Sequence, residues 1–152
     1  MGIREFCAEK GITLPAPPKP VAAYVPYLID GSLLAISGVL PFREGKLAAT
    51  GRVGREVLLP EAQECARLCG IQLLAVMAAL EEEGRQVEQV LRVTGFVASA
   101  PEFTEQHLVM NACSELLVEV LGERGRHTRE AVGVVSLPLN APVEVSAWVR
   151  IR

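Results

Sequence analysis

The sequence predicts an α+β domain: one sheet with two helices on one of its faces. Two helical blocks are visible, a long amphipathic one behind Pro60 and a second one closed by Gly122 and Gly125, with short apolar runs around both. The element order is strands, helix, strand, helix, strand, strand. At 152 residues, half of them apolar, the chain can bury one real core. Only 5% are aromatic, so that core must come from Val, Leu, Ile and Ala.

Each element has a local reason. Residues 2–10 suit a short helix that Gly11 would end. "LPAPPKP", 14–20, holds four prolines and must be extended, a tether strapping the N-terminal piece to the rest. The chain thus divides into 1–20, short helix and tether, and 21–152, the domain proper. "YLIDGSLLAISGVLPFREGKLAATGRVGREV" reads as short strands turning at Asp30-Gly31 and at "REGK". In the long block Pro60 fits a first turn, and Glu61 and Glu64 complement the helix N-terminus. Ala62, Cys65, Ala66, Cys69, Leu73, Val76, Met77 and Leu80 form its apolar stripe, Glu81–Glu83 its solvated end, and Gly84 its stop. Residues 90–99 read as a buried strand. Thr104 is the expected N-cap of the second helix, which runs to about Leu121. In "PVEVSAWVRIR" alternation puts Val143, Val145, Ala147, Val149 and Ile151 on one face and Glu144, Ser146, Trp148, Arg150 and Arg152 on the other. With two helices on one face, the other face lacks cover. With few charged or aromatic residues on its strands it should not be wet, so a homo-oligomer is expected.

Composition bounds the function classes. Net charge is −3 and the basic residues are scattered, which disfavours nucleic acid as a partner. No window suggests a membrane span, and "MGIREFCAEKGITLP" is not a secretory signal. Phe6 stands where a myristoylation motif needs Ser or Thr. A soluble, cytoplasmic chain is expected. Cys65 and Cys69, one helical turn apart, lack the second pair that zinc requires and fall on the apolar stripe, so they read as core; no metal is expected. His107 and His127 stand alone, without triad spacing. "GRVG", 51–54, imitates a KH-type GxxG loop but lacks flanking helices, and no GxGxxG or Walker loop is present.

Arg129 and Glu144 flank the last two strands. Taken singly, each reads as a solvent-facing strand residue. If those strands paired as a hairpin around Asn140, the two would lie more than roughly 20 Å apart; with a strand between them, the lateral gap alone is about 10 Å. Within one chain they cannot touch, so only a neighbouring subunit could bring them together.

"REAVGVVSLPLNAPVEV", "AYVPYLIDGSLLAISGVLP" and "FTEQHLVMNACSELLVEVLG" together resemble the RidA/YjgF family, also called L-PSP endoribonuclease-like or reactive intermediate deaminases. The likeness spans about residues 20–150. It departs from the family in "GERGRHTRE", where His127 stands in place of the proline of a Pro-Ala-Arg lead-in.

The resemblance implies a chorismate-mutase-like mixed sheet and a homotrimer with sites between subunits. It further implies hydrolysis of 2-imino acids or their enamine tautomers to 2-keto acids and ammonia, with no metal or cofactor. Arg129 is implied to fork onto the substrate carboxylate, since a planar guanidinium matches it with two parallel hydrogen bonds. Glu144 is implied as the general base on water. Tyr24, Ser37, Gly38, Asn111 and the backbone at Ala131 are implied to line the cleft. Arg126 lies close enough to take the carboxylate instead of Arg129. A non-catalytic member that holds a small carboxylate stays open as the alternative, with ribonuclease activity behind it.

Overall fold

The computed structural model describes residues 1–19 and 23–152. Helix α1 (Ile3–Glu9) is followed by residues 12–19, which form no helix or strand, and later by strands β1 (Tyr27–Asp30) and β2 (Leu33–Val39). A small hairpin, β3 (Phe42–Arg43) with β4 (Lys46–Leu47), precedes the long helix α2 (Leu59–Glu82). Strand β5 (Val87–Ala98), helix α3 (Gln106–Leu121), strand β6 (Thr128–Val134) and strand β7 (Val143–Ile151) complete the chain. Pro20, Val21 and Ala22, where the expected tether meets the domain, lie outside the described residues.

The five-stranded sheet has the order β1-β2-β7-β5-β6, with β5 and β6 parallel and every other pair antiparallel. It is a mixed sheet, as the α+β reading requires. Strands β2, β5 and β6 therefore run the same way, and α2 and α3 are the crossovers between them. Two crossovers of one hand stepping in the same direction must lie on the same face. That is why one layer of helix covers one side only.

β7 enters between β2 and β5, so the turn around Asn140 does not close a hairpin with β6. Leu139 and Asn140 take positive φ there and carry the chain past β5.

The core lies between the sheet and α2/α3. The expected stripe of α2 is buried throughout, as are Val143, Val145, Ala147, Val149 and Ile151 of β7 and Val109, Met110, Cys113 and Leu117 of α3. Burial pushes the Cys65 thiol up to about 11 and the Cys113 thiol up to about 12, which suits cysteines acting as small apolar side chains. Helix α2 is also long and apolar enough to cross a membrane by length and composition, contrary to the reading above. Its apolar window is 67% buried inside the protein, so that hydropathy serves the core.

Three local expectations are corrected. Thr104 is not the N-cap: α3 starts at Gln106, preceded by Glu105, and the Gln106 amide donates back to the Phe103 carbonyl at 2.8 Å. Glu81 is not solvated: its Oε2 accepts from the Ile3 backbone N–H at 3.0 Å, and its Oε1 lies 3.7 Å from Arg124. The helix-free face is mixed rather than apolar. Leu28 and Trp148 stand exposed on it, but so do the ion pairs Arg92–Glu130 and Arg150–Glu88.

Glu81 explains how the N-terminal piece is held. A short helix leaves its first N–H groups unsatisfied, and a carboxylate from α2 fills one of those vacancies. Arg4 adds a pair to Glu82 at 2.5 Å, and Ile3, Cys7, Ile12 and Leu14 are buried against the helix layer. We expect Glu81→Ala to cost about 1 kcal/mol locally, the scale of a lost helix cap. Hydrogen exchange should show the amides of residues 3–9 losing protection while those of β5 and β7 keep theirs.

Candidate functional site

Arg129 sits on β6, the edge strand, paired in register with Val93. Val93 is fully buried, so position 129 faces the helix layer, and its side chain runs under the edge of the sheet towards α3. Nη1 donates to Asn111 Oδ1 at 3.1 Å and to Ser114 Oγ at 3.1 Å, and Nη2 donates to the His107 carbonyl at 3.3 Å. These bonds use both Nη1 hydrogens and one of Nη2. Among the described residues Nε–H and one Nη2–H are given no acceptor, two donors on a planar fork whose position is already fixed. An oxyanion with two oxygens fits that edge. Ser114, Val118, Arg126, His127 and Arg129 line a concavity of about 300 Å³.

Glu144 lies at the other side of the molecule's chemistry. It is the second residue of β7, paired with Phe96, on the face opposite the buried valines. The bulge in β2 between Ile36 and Val39 brings Gly38 against it: a Cβ on Gly38 would fall 2.5 Å from Glu144 Oε1. Only glycine leaves the carboxylate its place. Tyr24, Pro26, Ser37, Gly38 and Glu144 line a pocket of about 250 Å³. Ser37 donates its hydroxyl hydrogen to the Val25 carbonyl at 2.6 Å, and its N–H bonds to Pro26. It thereby ties the segment carrying Tyr24 to the pocket rim. Half-burial raises the Glu144 pKa above that of an ordinary glutamate, because desolvation disfavours the charged carboxylate.

The expected residues thus fall into two groups. Tyr24, Ser37, Gly38 and Glu144 share one pocket; Asn111 and Arg129 share the other. Ala131 lies two residues beyond Arg129 on the same face of the edge strand, beside Gly95. Between the groups stands β5. Arg129 pairs with Val93 and Glu144 with Phe96, which gives an offset of two strand spacings and three residues, or about 14 Å between backbones, with the side chains on opposite faces. They do not meet within one chain. Arg126, the other candidate cation, is largely exposed and bonded to Glu123 at 3.0 Å, whereas Arg129 is fixed by three acceptors.

Against this geometry the comparisons with known proteins can be set. A family model described as "YjgF/chorismate_mutase-like, putative endoribonuclease" matches residues 5–150. The chain belongs to the YjgF/RidA family. It is 42% identical over 143 residues to "Protein TCP17" of Trypanosoma cruzi, covering 93% of this chain and 89% of that protein. The crystal structure of Atu1372 from Agrobacterium tumefaciens matches with a TM-score of 0.90 at 48% identity, covering 99% and 92% of the two chains. The structure of Escherichia coli TdcF with bound serine shares the fold, with a TM-score of 0.60 at 23% identity over 89% and 92%. The chorismate-mutase-like α+β fold expected from the motifs is the fold of this member of the YjgF/RidA family.

The tether and His127, which the sequence places outside the site, both line it. Pro18 and Lys19, from the tether, line the Glu144 pocket, so the strap is part of the site's wall. Its four prolines signalled stiffness but not destination. His127 adjoins Arg129, its Nδ1 2.6 Å from the Gly125 carbonyl and its Nε2 2.9 Å from Ser114 Oγ. A lone histidine beside an arginine carries no spacing signal. Gly38→Ala is expected to change stability by no more than about 0.5 kcal/mol, since the displaced atoms are the free end of a side chain. It should push the Glu144 carboxylate towards water, and NMR titration should then find its pKa lower than in the unaltered protein.

Proposed function

We propose that the chain hydrolyses 2-imino acids or their enamine tautomers to 2-keto acids and ammonia, as a homotrimer whose sites form where one copy's Arg129 meets the next copy's Glu144. The observation that carries this reading is the guanidinium held by three acceptors, with a two-donor edge left without one among the described residues. Such an edge suits a carboxylate adjacent to the reacting carbon. The serine in TdcF, a small amino acid held on the same fold, supports the same ligand class.

The chemistry asks little more. Water adds to the C=N carbon, and Glu144 passes one of its protons to the imine nitrogen as the C–O bond forms, which gives a neutral carbinolamine. Glu144 then takes the hydroxyl proton and hands it to the same nitrogen as the C=O bond forms and the C–N bond breaks, so ammonia leaves and the carboxylate is regenerated. An imine is already electrophilic, so orientation and one proton shuttle suffice, and the reaction has no need of a metal or cofactor. Tyr24, Gly38 and the Ala131 backbone would hold the reacting group, with Asn111 keeping Arg129 in place.

The test generates 2-aminoacrylate or 2-aminocrotonate in place with a pyridoxal-phosphate dehydratase and follows keto-acid release. The protein should accelerate release, and Arg129→Ala should lose at least about a hundredfold in kcat/KM, the scale of a lost charged anchor. No acceleration together with retained keto-acid binding would favour a non-catalytic carboxylate-binding protein.

The Glu144 pKa gives a signed pH prediction. A general base works only when deprotonated, so kcat/KM falls as pH drops through the Glu144 value. Burial has raised that value, so the acid limb should lie above the 4.5 of an ordinary glutamate. Glu144→Gln should abolish that limb along with most of the rate.

A further inference from the structure

We infer that His127 and Ser114 are positioning residues for Arg129: a neutral His127, protonated on Nδ1, orients the Ser114 hydroxyl so that its oxygen faces the guanidinium. This rests on the reading of Arg129 as the carboxylate anchor and extends it to two residues outside the expected site.

The donors and acceptors leave one consistent arrangement. The Gly125 carbonyl only accepts, so Nδ1, 2.6 Å away, must carry a hydrogen. In the neutral ring Nε2 is then an acceptor, and among the described residues the donor placed on it is the Ser114 hydroxyl at 2.9 Å. Having donated there, Ser114 Oγ turns a lone pair to Arg129 Nη1 at 3.1 Å. Each hydrogen that links Gly125, His127, Ser114 and Arg129 Nη1 in this series has an acceptor. The other neighbours of the ring in this hollow are Val118 and Arg126. Burial, assisted by the Arg129 charge and opposed by the Gly125 carbonyl, lowers the His127 pKa and keeps the ring neutral.

The arrangement is anchored at both ends. Ser114 lies on α3, one turn from Asn111, so both acceptors of Nη1 come from the same helix face. Gly125 lies in the 3₁₀ turn Gly122–Gly125 that ends α3, and it is buried. His127 thus joins the end of α3 to the start of β6, and Arg129 is braced against a rigid corner.

Three measurements on the full chain test this. In the unliganded protein, long-range ¹H–¹⁵N NMR should show His127 as the neutral Nδ1–H tautomer at pH 7. An Nε2–H tautomer or a charged ring would overturn the proposal whatever the protein binds. Next, pyruvate affinity is measured by calorimetry for His127→Leu, Ser114→Ala and the double variant. Each single change should weaken binding about tenfold, the effect of one lost hydrogen bond to a charged group. The double variant should be no weaker than either single one, because the histidine acts through the serine. Additive losses would overturn the proposal. His127→Gln, whose Oε1 can accept from Ser114, should restore most of the affinity; failure of that rescue would also count against it. In the deaminase assay the same variants should raise KM with kcat nearly unchanged. If wild type bound no pyruvate, the carboxylate-anchor reading would fail, while the tautomer and the rotation of the Arg129 Nη1 group about its Cζ–Nη1 bond, slow in wild type and faster in Ser114→Ala, would still decide this inference.

Discussion

Strand β5 is the partition on which the rest of the molecule depends. It accepts β6 on one side in parallel and β7 on the other in antiparallel fashion, and α3 packs against it while α2 lies over its neighbours β7 and β2. The same partition separates the two functional charges. Arg129 is carried to the helix side at the sheet's edge, and Glu144 is left on the uncovered side. A fold that holds the two charges this far apart keeps either from neutralising the other in the free chain.

Each charge is prepared differently. Arg129 is ordered by hydrogen bonds and remains charged, with one edge presented outward. Glu144 is half-buried, and desolvation raises its proton affinity above that of an ordinary glutamate. Electrostatics at these sites is thus set by packing rather than by an ion pair. The glycine at 38 and the bulge in β2 serve the second preparation, and the corner between α3 and β6 serves the first.

Much of this was legible in the residues. The α2 stripe and the β7 alternation state burial directly, because period 3.6 and period 2 are consequences of backbone geometry. The separation of Arg129 and Glu144 was legible as the lateral gap left by a strand between theirs; the hairpin alternative, with its longer separation, is not the pairing found. What was not legible has a common physical cause: it depends on partners distant in sequence. Glu81 reads as one of three solvated glutamates until α1 lays its N-terminus on it. His127 acquires meaning only from Ser114, a residue on another element. The insertion of β7 between β2 and β5 leaves no mark in local pattern, since a central strand of either neighbour choice shows the same alternation. Lys19 reaches the Glu144 pocket because the strap is stapled at Ile12 and Leu14, which composition did not show.

The account stands on sites shared between copies, and subunit mixing tests that most directly. Arg129→Ala and Glu144→Ala proteins, each inactive alone, are unfolded, mixed in equal amounts and refolded together. In any closed ring assembled at random, about a quarter of the shared sites then combine an intact arginine with an intact glutamate. The mixture should recover close to that fraction of wild-type activity, rising from near zero in either parent. Recovery no greater than the sum of the parents, in refolded protein that assembles normally, would contradict the shared site.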